Sequence, residues 1–309
     1  MEAVGSRLLL RIGDRQGVTV PELISVRRGW IDDYLAQLAS STGAPEVLRR
    51  PVERALRSQG KRVRGILTLA AGEAAGATAE RLVAAAAAFE MIHTCSLILD
   101  DLPSMDDAAL RRGEPTLHLV FGENLAILSA VALLNHSYGL ITSSHQALAP
   151  KRWPMAAVIQ KVIDAVGWDG TIGGEAVDLH SDPSSLDLKT LEFIHSRKTG
   201  MLFVAAAAVG GMLANAAPSV VDKLEAYAKN LGLAFQITDD ILDEIGTMEQ
   251  AGKDVRQDAG RLTFVKLAGV EGARSIAREL IDTATLAIGS LGKGAEQLRE
   301  LAVTVRDRV

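Results

Sequence analysis

The sequence predicts an all-α protein, one large helical domain, on three observations. Alanine is abundant while aromatic residues make up only 4% of the 309 residues. Alternating runs of Val, Ile, Thr and Tyr, which favour strands, are scarce. Long apolar stretches rich in good helix formers are broken only by isolated Gly, Pro and Ser positions.

Residues 1–20 carry no sustained period and read as a loosely ordered segment ahead of a domain over 21–309. A helix starts at Pro21, a favoured first-turn residue, and runs to about 40, where Ser40-Ser41-Thr42-Gly43 ends it. A second covers about 45–58, and Gly60 separates it from the basic start of a third, Lys61-Arg62-Val63-Arg64, which continues to about 75. A long helix comes next, from about 78 to 101, stopped by Pro103. Further helices are expected at 115–148, 154–184, 187–214, 219–244, 263–289 and 294–306. No Pro/Gly/Ser-rich linker of domain-separating length and no short-period repeat is present.

The totals exclude some classes. Net charge is −5, with no long basic run, so nucleic acid is not an expected partner. The single cysteine, Cys95, excludes an intrachain disulfide and a cysteine-based zinc site, and fits a reducing compartment. No signal peptide is evident, since Leu8-Leu9-Leu10 is too short and is soon followed by Arg11 and Asp14. The most apolar windows, 82–99 and 201–217, are Ala/Gly-rich, and the first contains Glu90 and His93. They read as buried core helices, so no transmembrane segment is expected. The expected location is cytoplasmic.

Two acidic clusters carry the chemistry. Asp100, Asp101, Asp106 and Asp107 lie within eight residues, directly after an apolar helix. Such a cluster resists ionising together unless a cation sits in it. Carboxylate oxygens are hard ligands suited to Mg²⁺, which takes one or two carboxylates and completes its shell with water and phosphate. The alternative is a solvated acidic helix end, but acids at a helix C-terminus oppose its dipole. In the second cluster, Asp239 and Asp243 are spaced i, i+4 on one helical face, with Asp240 beside them. Facing the first across a cavity, it would hold a metal–phosphate group between the two.

Basic residues are spread around both clusters. Lys61 and Arg64 stand at a helix start, where backbone donors also favour an anion. Arg111 and Arg112 come after the first cluster, Lys198 and Thr199 precede the second, and Lys253 and Arg261 come after it. Any one of them alone is most simply a solvated charge; as a set they resemble a phosphate cage.

These residues resemble the trans-isoprenyl diphosphate synthases, the polyprenyl synthetase family, and among them geranylgeranyl diphosphate synthases. The resemblance rests on Gly60-Lys61-Arg62-x-Arg64, on His93 and Ser96-Leu97-Ile98 ahead of Asp100-Asp101-Leu102-Pro103-Ser104-Met105-Asp106, and on Leu110-Arg111-Arg112-Gly113-x-Pro115-Thr116. It continues through Gly174-x-x-x-Asp178-Leu179, Lys198-Thr199-Gly200, Phe235-Gln236-x-x-Asp239-Asp240-x-x-Asp243, and Gly252-Lys253 leading to Asp258-x-Gly260-Arg261. It covers roughly residues 57–265 in order.

The resemblance implies an all-α bundle around a central cavity, a homodimer, and three Mg²⁺ ions clamping an allylic diphosphate. Asp100, Asp101, Asp106, Asp239, Asp240 and Asp243 match the metal motifs. Lys61, Arg64, His93 and Arg112 match the isopentenyl diphosphate site. Arg111, Lys198, Thr199, Gln236 and Lys253 match the allylic site. The implied reaction ionises the allylic substrate (dimethylallyl, geranyl or farnesyl diphosphate), joins it to isopentenyl diphosphate and releases a proton. The aspartates, Lys198, Thr199 and Gln236 are then the catalytic set, through stabilisation of the departing diphosphate.

The chain departs from the family pattern at several places. Leu99 replaces a usual His, and Ala108-Ala109 cut the first acidic run short. Glu175 replaces a common Gln, Arg256 a Gly, Arg261 a Lys and Gly65 a Pro. None removes a core acidic residue.

The growing chain is expected to run down the helix that ends at Asp100. Ser96 and Cys95 lie about one turn below, roughly 6–7.5 Å at ~1.5 Å per residue. Both are small, so the tail passes, and Met91 or Phe89 would floor the cavity deeper. The expected product has twenty carbons. Two other readings share features with this one. They are a non-catalytic subunit that modulates another synthase, which would tend to have damaged acidic motifs, and a class I terpene cyclase, which would lack the second motif and the basic isopentenyl diphosphate set.

Overall fold

The structure, a computed structural model, describes residues 20–41, 43–181, 188–245 and 263–309. Its helices are α1 (Val20–Ser41), α2 (Glu46–Arg57), α3 (Val63–Ala74), α4 (Val83–Asp100), α5 (Leu117–Phe121), α6 (Glu123–Leu148), α7 (Met155–Val166) and α8 (Thr171–His180). They continue as α9 (Leu188–His195), α10 (Met201–Leu213), α11 (Pro218–Ile245), α12 (Phe264–Ala287) and α13 (Glu296–Arg306). Short 3₁₀ turns at Ala79–Leu82 and Gly289–Ala295 precede α4 and α13.

The all-α expectation holds, with one small departure. Leu110–Arg111 (β1) pairs antiparallel with Glu114–Pro115 (β2). Arg112 and Gly113 form the two-residue loop, with φ of 56° and 78°. Positive φ at both positions is what a type I′ hairpin needs, because its twist matches that of the strands. Asn-Gly is the familiar signal; Arg-Gly is not.

Three expected helices are divided. Gly122 (φ 86°) separates α5 from α6, and Gly167 to Gly170 separates α7 from α8. A π-helical turn, Ser196–Gly200, interrupts the run from α9 to α10. One extra residue in a helical turn shifts the phase of the next helix, and such turns are common at functional sites.

The core explains the Ala-rich sequence. Ala85, Ala86, Ala87 and Ala88 on α4 and Ala205, Ala206, Ala207 and Ala208 on α10 are all buried. Small side chains let helix axes approach closely. Gly210 on α10 faces the Thr68 carbonyl of α3 so tightly that a Cβ there would overlap it. Among the larger residues, Phe89, Met91, Phe203 and Tyr227 fill the interior, and Tyr227 donates to the Leu298 carbonyl at 2.6 Å, tying α11 to α13. Glu73 on α3 accepts from Arg27 on α1 at 2.5 Å and from Gln297 on α13 at 2.7 Å. These ties close the bundle behind the cavity.

Among the described residues, two stretches are long and apolar enough to cross a membrane by composition, Ala79–Asp100 and Glu123–Leu148. The first is mostly buried within the bundle. The second, α6, packs one face on α4. Its other face is open, with Ile127, Leu128 and Val131 exposed. The 201–217 stretch is almost wholly buried, as expected of a core helix.

Candidate active site

One cavity of about 1010 Å³ opens between the C-terminal end of α4, the β hairpin, α8, the π turn and α11. Its wall brings together Lys61, Arg64, His93, Ser96, Asp100, Asp106, Arg111, Arg112, Lys198, Thr199, Gln236, Asp239 and Asp240. Residues from sites more than a hundred positions apart thus meet on one surface.

Asp100 closes α4 and Asp106 returns to it, its N–H bonding the Asp100 carbonyl at 2.9 Å. The intervening loop is wound tightly, with Asp107 N–H on the Leu102 carbonyl at 3.0 Å. Asp107, at φ 49°, is exposed and lies outside the cavity wall. Burial pushes the Asp100 carboxyl up to about 7, helped by the charges of Glu175 and Asp106 and opposed by Lys198. A carboxylate so reluctant to ionise is short of a cation.

Asp101 is placed differently from the expectation. It is buried, absent from the cavity wall, and bound by Arg111 through Nε at 2.8 Å and through Nη2. The helix phase explains this: one residue on from Asp100 rotates the side chain about 100° round the axis. Arg111 in turn reaches the cavity, so Asp101 meets the site through it.

On the opposite wall, Asp239 is paired with Arg308, and Asp240 accepts from Gln236 at 3.0 Å and from the Phe264 N–H at 3.3 Å. Asp243 is buried and lies outside the cavity wall. It shares Asp239's side of α11 but sits a turn deeper.

The π turn presents Lys198 and Thr199. Thr199 donates to Gln236 at 2.8 Å, which donates on to Asp240. Lys198 is held between Glu175 at 2.8 Å and Asp178 at 2.7 Å, both on α8. Burial opposes its charge, yet those two carboxylates hold its pKa above the ordinary lysine value.

A basic nest lies nearer α3. Arg64 is buried, its guanidinium 4.9 Å from the Phe203 ring and its Nε without a partner. Burial draws its pKa down to about 10. Burial and the nearby Arg64, Arg112 and Arg111 keep His93 neutral, far below its usual range. Lys61 is also lowered, by burial and then by Arg308. Arg112 stands against Gly60, where a Cβ would meet Nη1 at 3.0 Å, and donates to Ser58 at 3.2 Å. Cations gathered round a buried guanidinium are arranged to receive an anion. Behind it, Gly65 donates its N–H to the buried Glu90 at 2.8 Å, a bond that proline at this position would lack.

Cys95 and Met91 are buried and outside the cavity wall, whereas Ser96 is part of it. Cys95 turns toward α6, close enough to Tyr138 to perturb it. Its thiol is pushed up to about 11, by burial first and then by Asp100. Lys253, with Gly252, Arg256, Asp258, Gly260 and Arg261, falls outside the described residues. Arg308 and His195 also line the cavity, and neither carries a sequence signal for that role. Arg308 sits in a charged C-terminal stretch, and His195 is a lone histidine on an amphipathic helix.

Hard carboxylate oxygens, one of them with its pKa raised by burial, suit Mg²⁺ better than a softer metal. Among the described residues no three acidic, histidine or cysteine groups converge closely enough to hold an ion unaided.

The polyprenyl synthetase profile matches residues 45–290. A protein of Fischerella ambigua named dimethylallyltranstransferase is 40% identical over 286 residues, 92% of this chain and 82% of its own. A geranylgeranyl diphosphate synthase of Cyanophora paradoxa is 41% identical over 245 residues, 78% of this chain and 81% of its own. The crystal structure of an FPP/GFPP synthase from Zymomonas mobilis superposes with a TM-score of 0.80 at 32% identity, covering 93% of this chain and 98% of that one. The fold and the site therefore define an all-α isoprenyl synthase, with acidic helix ends facing a basic cavity. The chain belongs to the polyprenyl synthetase family and is a prenyltransferase.

Proposed function

We propose that the protein condenses isopentenyl diphosphate head-to-tail with an allylic diphosphate (dimethylallyl, geranyl or farnesyl), Mg²⁺ being required, and that its main product is C20 geranylgeranyl diphosphate. The single observation that carries this reading is the meeting of Asp100 and Asp106, Asp239 and Asp240, and the Lys61–Arg64–His93–Arg112 nest on one cavity.

In this reading Asp100, Asp101, Asp106, Asp239, Asp240 and Asp243 would hold Mg²⁺, three ions by family resemblance, which would supply charge neutralisation of the substrate diphosphate and so make it a better leaving group. Asp101 and Asp243 join only if their side chains turn from their buried positions toward the cavity. Lys198 and Arg111 bind the same diphosphate, and Lys253 is assigned there with them. Thr199 and Gln236, joined by a hydrogen bond of 2.8 Å, belong to the same allylic-diphosphate site. Lys61, Arg64, His93 and Arg112 fix isopentenyl diphosphate so that its double bond faces that carbon. The allylic C–O bond breaks, a C–C bond forms and one proton leaves. The products are inorganic diphosphate and a trans-prenyl diphosphate longer by five carbons. No side-chain nucleophile takes part, in keeping with the elevated Cys95 thiol.

We assign residues 21–309 to one catalytic domain working in the cytoplasm as a homodimer. The exposed apolar face of α6, with Ile127, Leu128 and Val131, supports the pairing, since such a patch on a monomer is costly. Val131→Asp yields monomer by sedimentation velocity if that face is the interface.

The deciding experiment incubates pure protein with isopentenyl diphosphate and each allylic primer, with Mg²⁺ or with a chelator. Chain elongation that the chelator abolishes is expected. No elongation by the pure protein would sink the reading in favour of a modulating subunit, and release of a cyclic hydrocarbon would favour a terpene cyclase.

A further inference from the structure

Arg308 lies two positions beyond the end of α13. A charged residue just past a helix end ordinarily stays in water. This one does not: its side chain is only 13% exposed and lines the cavity. Three contacts hold it. Nη2 pairs with Asp239 Oδ1, Nη1 donates to Thr238 Oγ1 at 3.3 Å, and the guanidinium lies 4.4 Å from the centre of the Phe235 ring. All three partners belong to one stretch of α11, the stretch that carries the second acidic motif. The same guanidinium is close enough to Lys61 to disfavour its charge.

We infer that Arg308 is an internal counter-cation that closes the second acidic motif and competes with divalent metal for Asp239. The inference rests on the proposed role of Asp239 as a metal ligand. The physics is exclusion at one oxygen pair. A carboxylate in contact with a stacked guanidinium is already neutralised, and the partner cannot be removed by deprotonation because arginine stays charged. Only a competing cation, or an anion that draws the guanidinium away, opens the site. The energetic cost of leaving Asp239 alone and ionised in a half-buried wall is thereby avoided in the metal-free protein. The observed affinity for metal is lowered by the fraction of molecules in which Arg308 has left. Arg308 is thus a gate set against metal binding without diphosphate.

The test measures binding of Mn²⁺, a spectroscopic stand-in for Mg²⁺, to the full chain, following free ion by electron paramagnetic resonance. The wild type, Arg308→Ala, Arg308→Lys and Asp239→Ala are compared. One class of site disappears in Asp239→Ala. At that site Arg308→Ala binds Mn²⁺ about tenfold tighter than wild type, a factor equal to ~1.4 kcal/mol. Arg308→Lys, which keeps a charge but loses the planar fork, tightens binding by a smaller factor of roughly three. Without metal, Arg308→Ala melts below wild type, and Mg²⁺ raises its melting temperature by more. If Arg308→Ala and Arg308→Lys bind Mn²⁺ no tighter than wild type while Asp239→Ala loses the site, the gate is wrong and the metal assignment stands. If Asp239→Ala binds like wild type, the assignment of Asp239 falls and the gate with it. The lysine variant decides the matter if the alanine variant does not fold.

Discussion

Glu175 Oε2 lies 2.8 Å from Lys198 Nζ. Lys198 also bonds Asp178, so one ammonium answers two carboxylates and leaves a net negative charge on this wall of the cavity. Glu175 is the largest charge effect holding the Asp100 carboxyl up at about 7, after burial itself. Glutamine at this position keeps the shape and removes the charge.

Glu175→Gln therefore lowers the pH at which Asp100 ionises and removes repulsion toward an incoming diphosphate. The acidic limb of kcat/KM against pH moves to lower pH, and KM for the allylic substrate falls several-fold while kcat changes less. An unmoved acidic limb would show that Asp100 does not feel Glu175.

Asp100 and Asp101 are neighbours in sequence, and burial raises the carboxyl pKa of both, but Asp101 is in addition bound by Arg111, which opposes its shift. The Asp100 pKa is raised from 3.8 in the unfolded chain to about 7. The folded state therefore binds the proton more tightly, and this group removes stability as pH rises from about 4 to about 7, with the loss constant above that. At pH 8 without metal, Asp100→Asn relieves a buried charge and raises Tm, while turnover is lost. Asp101→Ala strips Arg111 of its buried partner and lowers stability by about 1–3 kcal/mol. Thermal melts of both variants with added chelator check the pair.

Metal binding must displace the Asp100 proton if this carboxylate is a ligand. Calorimetry at pH 6.5 in buffers of different ionisation enthalpy then shows a fraction of a proton released per ion bound, declining toward zero at pH 8.5. No release at pH 6.5 would remove Asp100 from the ligand set.

The helices were legible because their signal is local: Ala-rich runs, Pro103 after α4, a break at Gly60. The acidic and basic motifs were legible as a set because unneutralised like charge beside apolar helix needs an explanation. The features that stayed hidden depend on a turn or on helix phase. Arg112 adopts a left-handed backbone that its side chain disfavours, so the hairpin gave no sign. The π turn that aims Lys198 and Thr199 comes from packing against α8 and α11, which no window of sequence contains. Asp101 and Asp243 fall off the cavity wall because spacing fixes a face only when the axis orientation is known. Arg308 is far from its partner in sequence and resembles a solvated tail.

Gly174 is the residue that permits the contact between α8 and the π turn. A Cβ there would overlap the backbone N of Lys198 and come within 2.8 Å of Arg197 Cβ. Gly174→Ala must therefore separate the two elements by a few tenths of an ångström or more, which lengthens the Lys198 bonds to Glu175 and Asp178. Activity falls at least about tenfold, an amount typical of displaced catalytic groups. Melting temperature in the same variant falls by only a few degrees if the bundle core is untouched. Equal loss of activity and of fold by circular dichroism would show instead that the contact is structural alone.

Product length is controlled by whichever residue narrows the path below Asp100. Ser96 lines the cavity with its hydroxyl turned back to the His93 carbonyl at 2.9 Å, so only a small side chain stands on the wall at that depth. Cys95 is buried on the flank facing α6 and Tyr138. A phenyl ring placed at Ser96 projects into the path of the growing chain, so Ser96→Phe shifts products from C20 toward C15. Cys95→Phe has to make space between α4 and α6 first. It costs about 1–3 kcal/mol through overpacking and shortens the product less. Chromatography of the dephosphorylated alcohols, beside thermal melts, ranks the two variants. A larger shortening at Cys95 than at Ser96 would mean that α4 is rotated in the working enzyme, with Cys95 turned into the cavity.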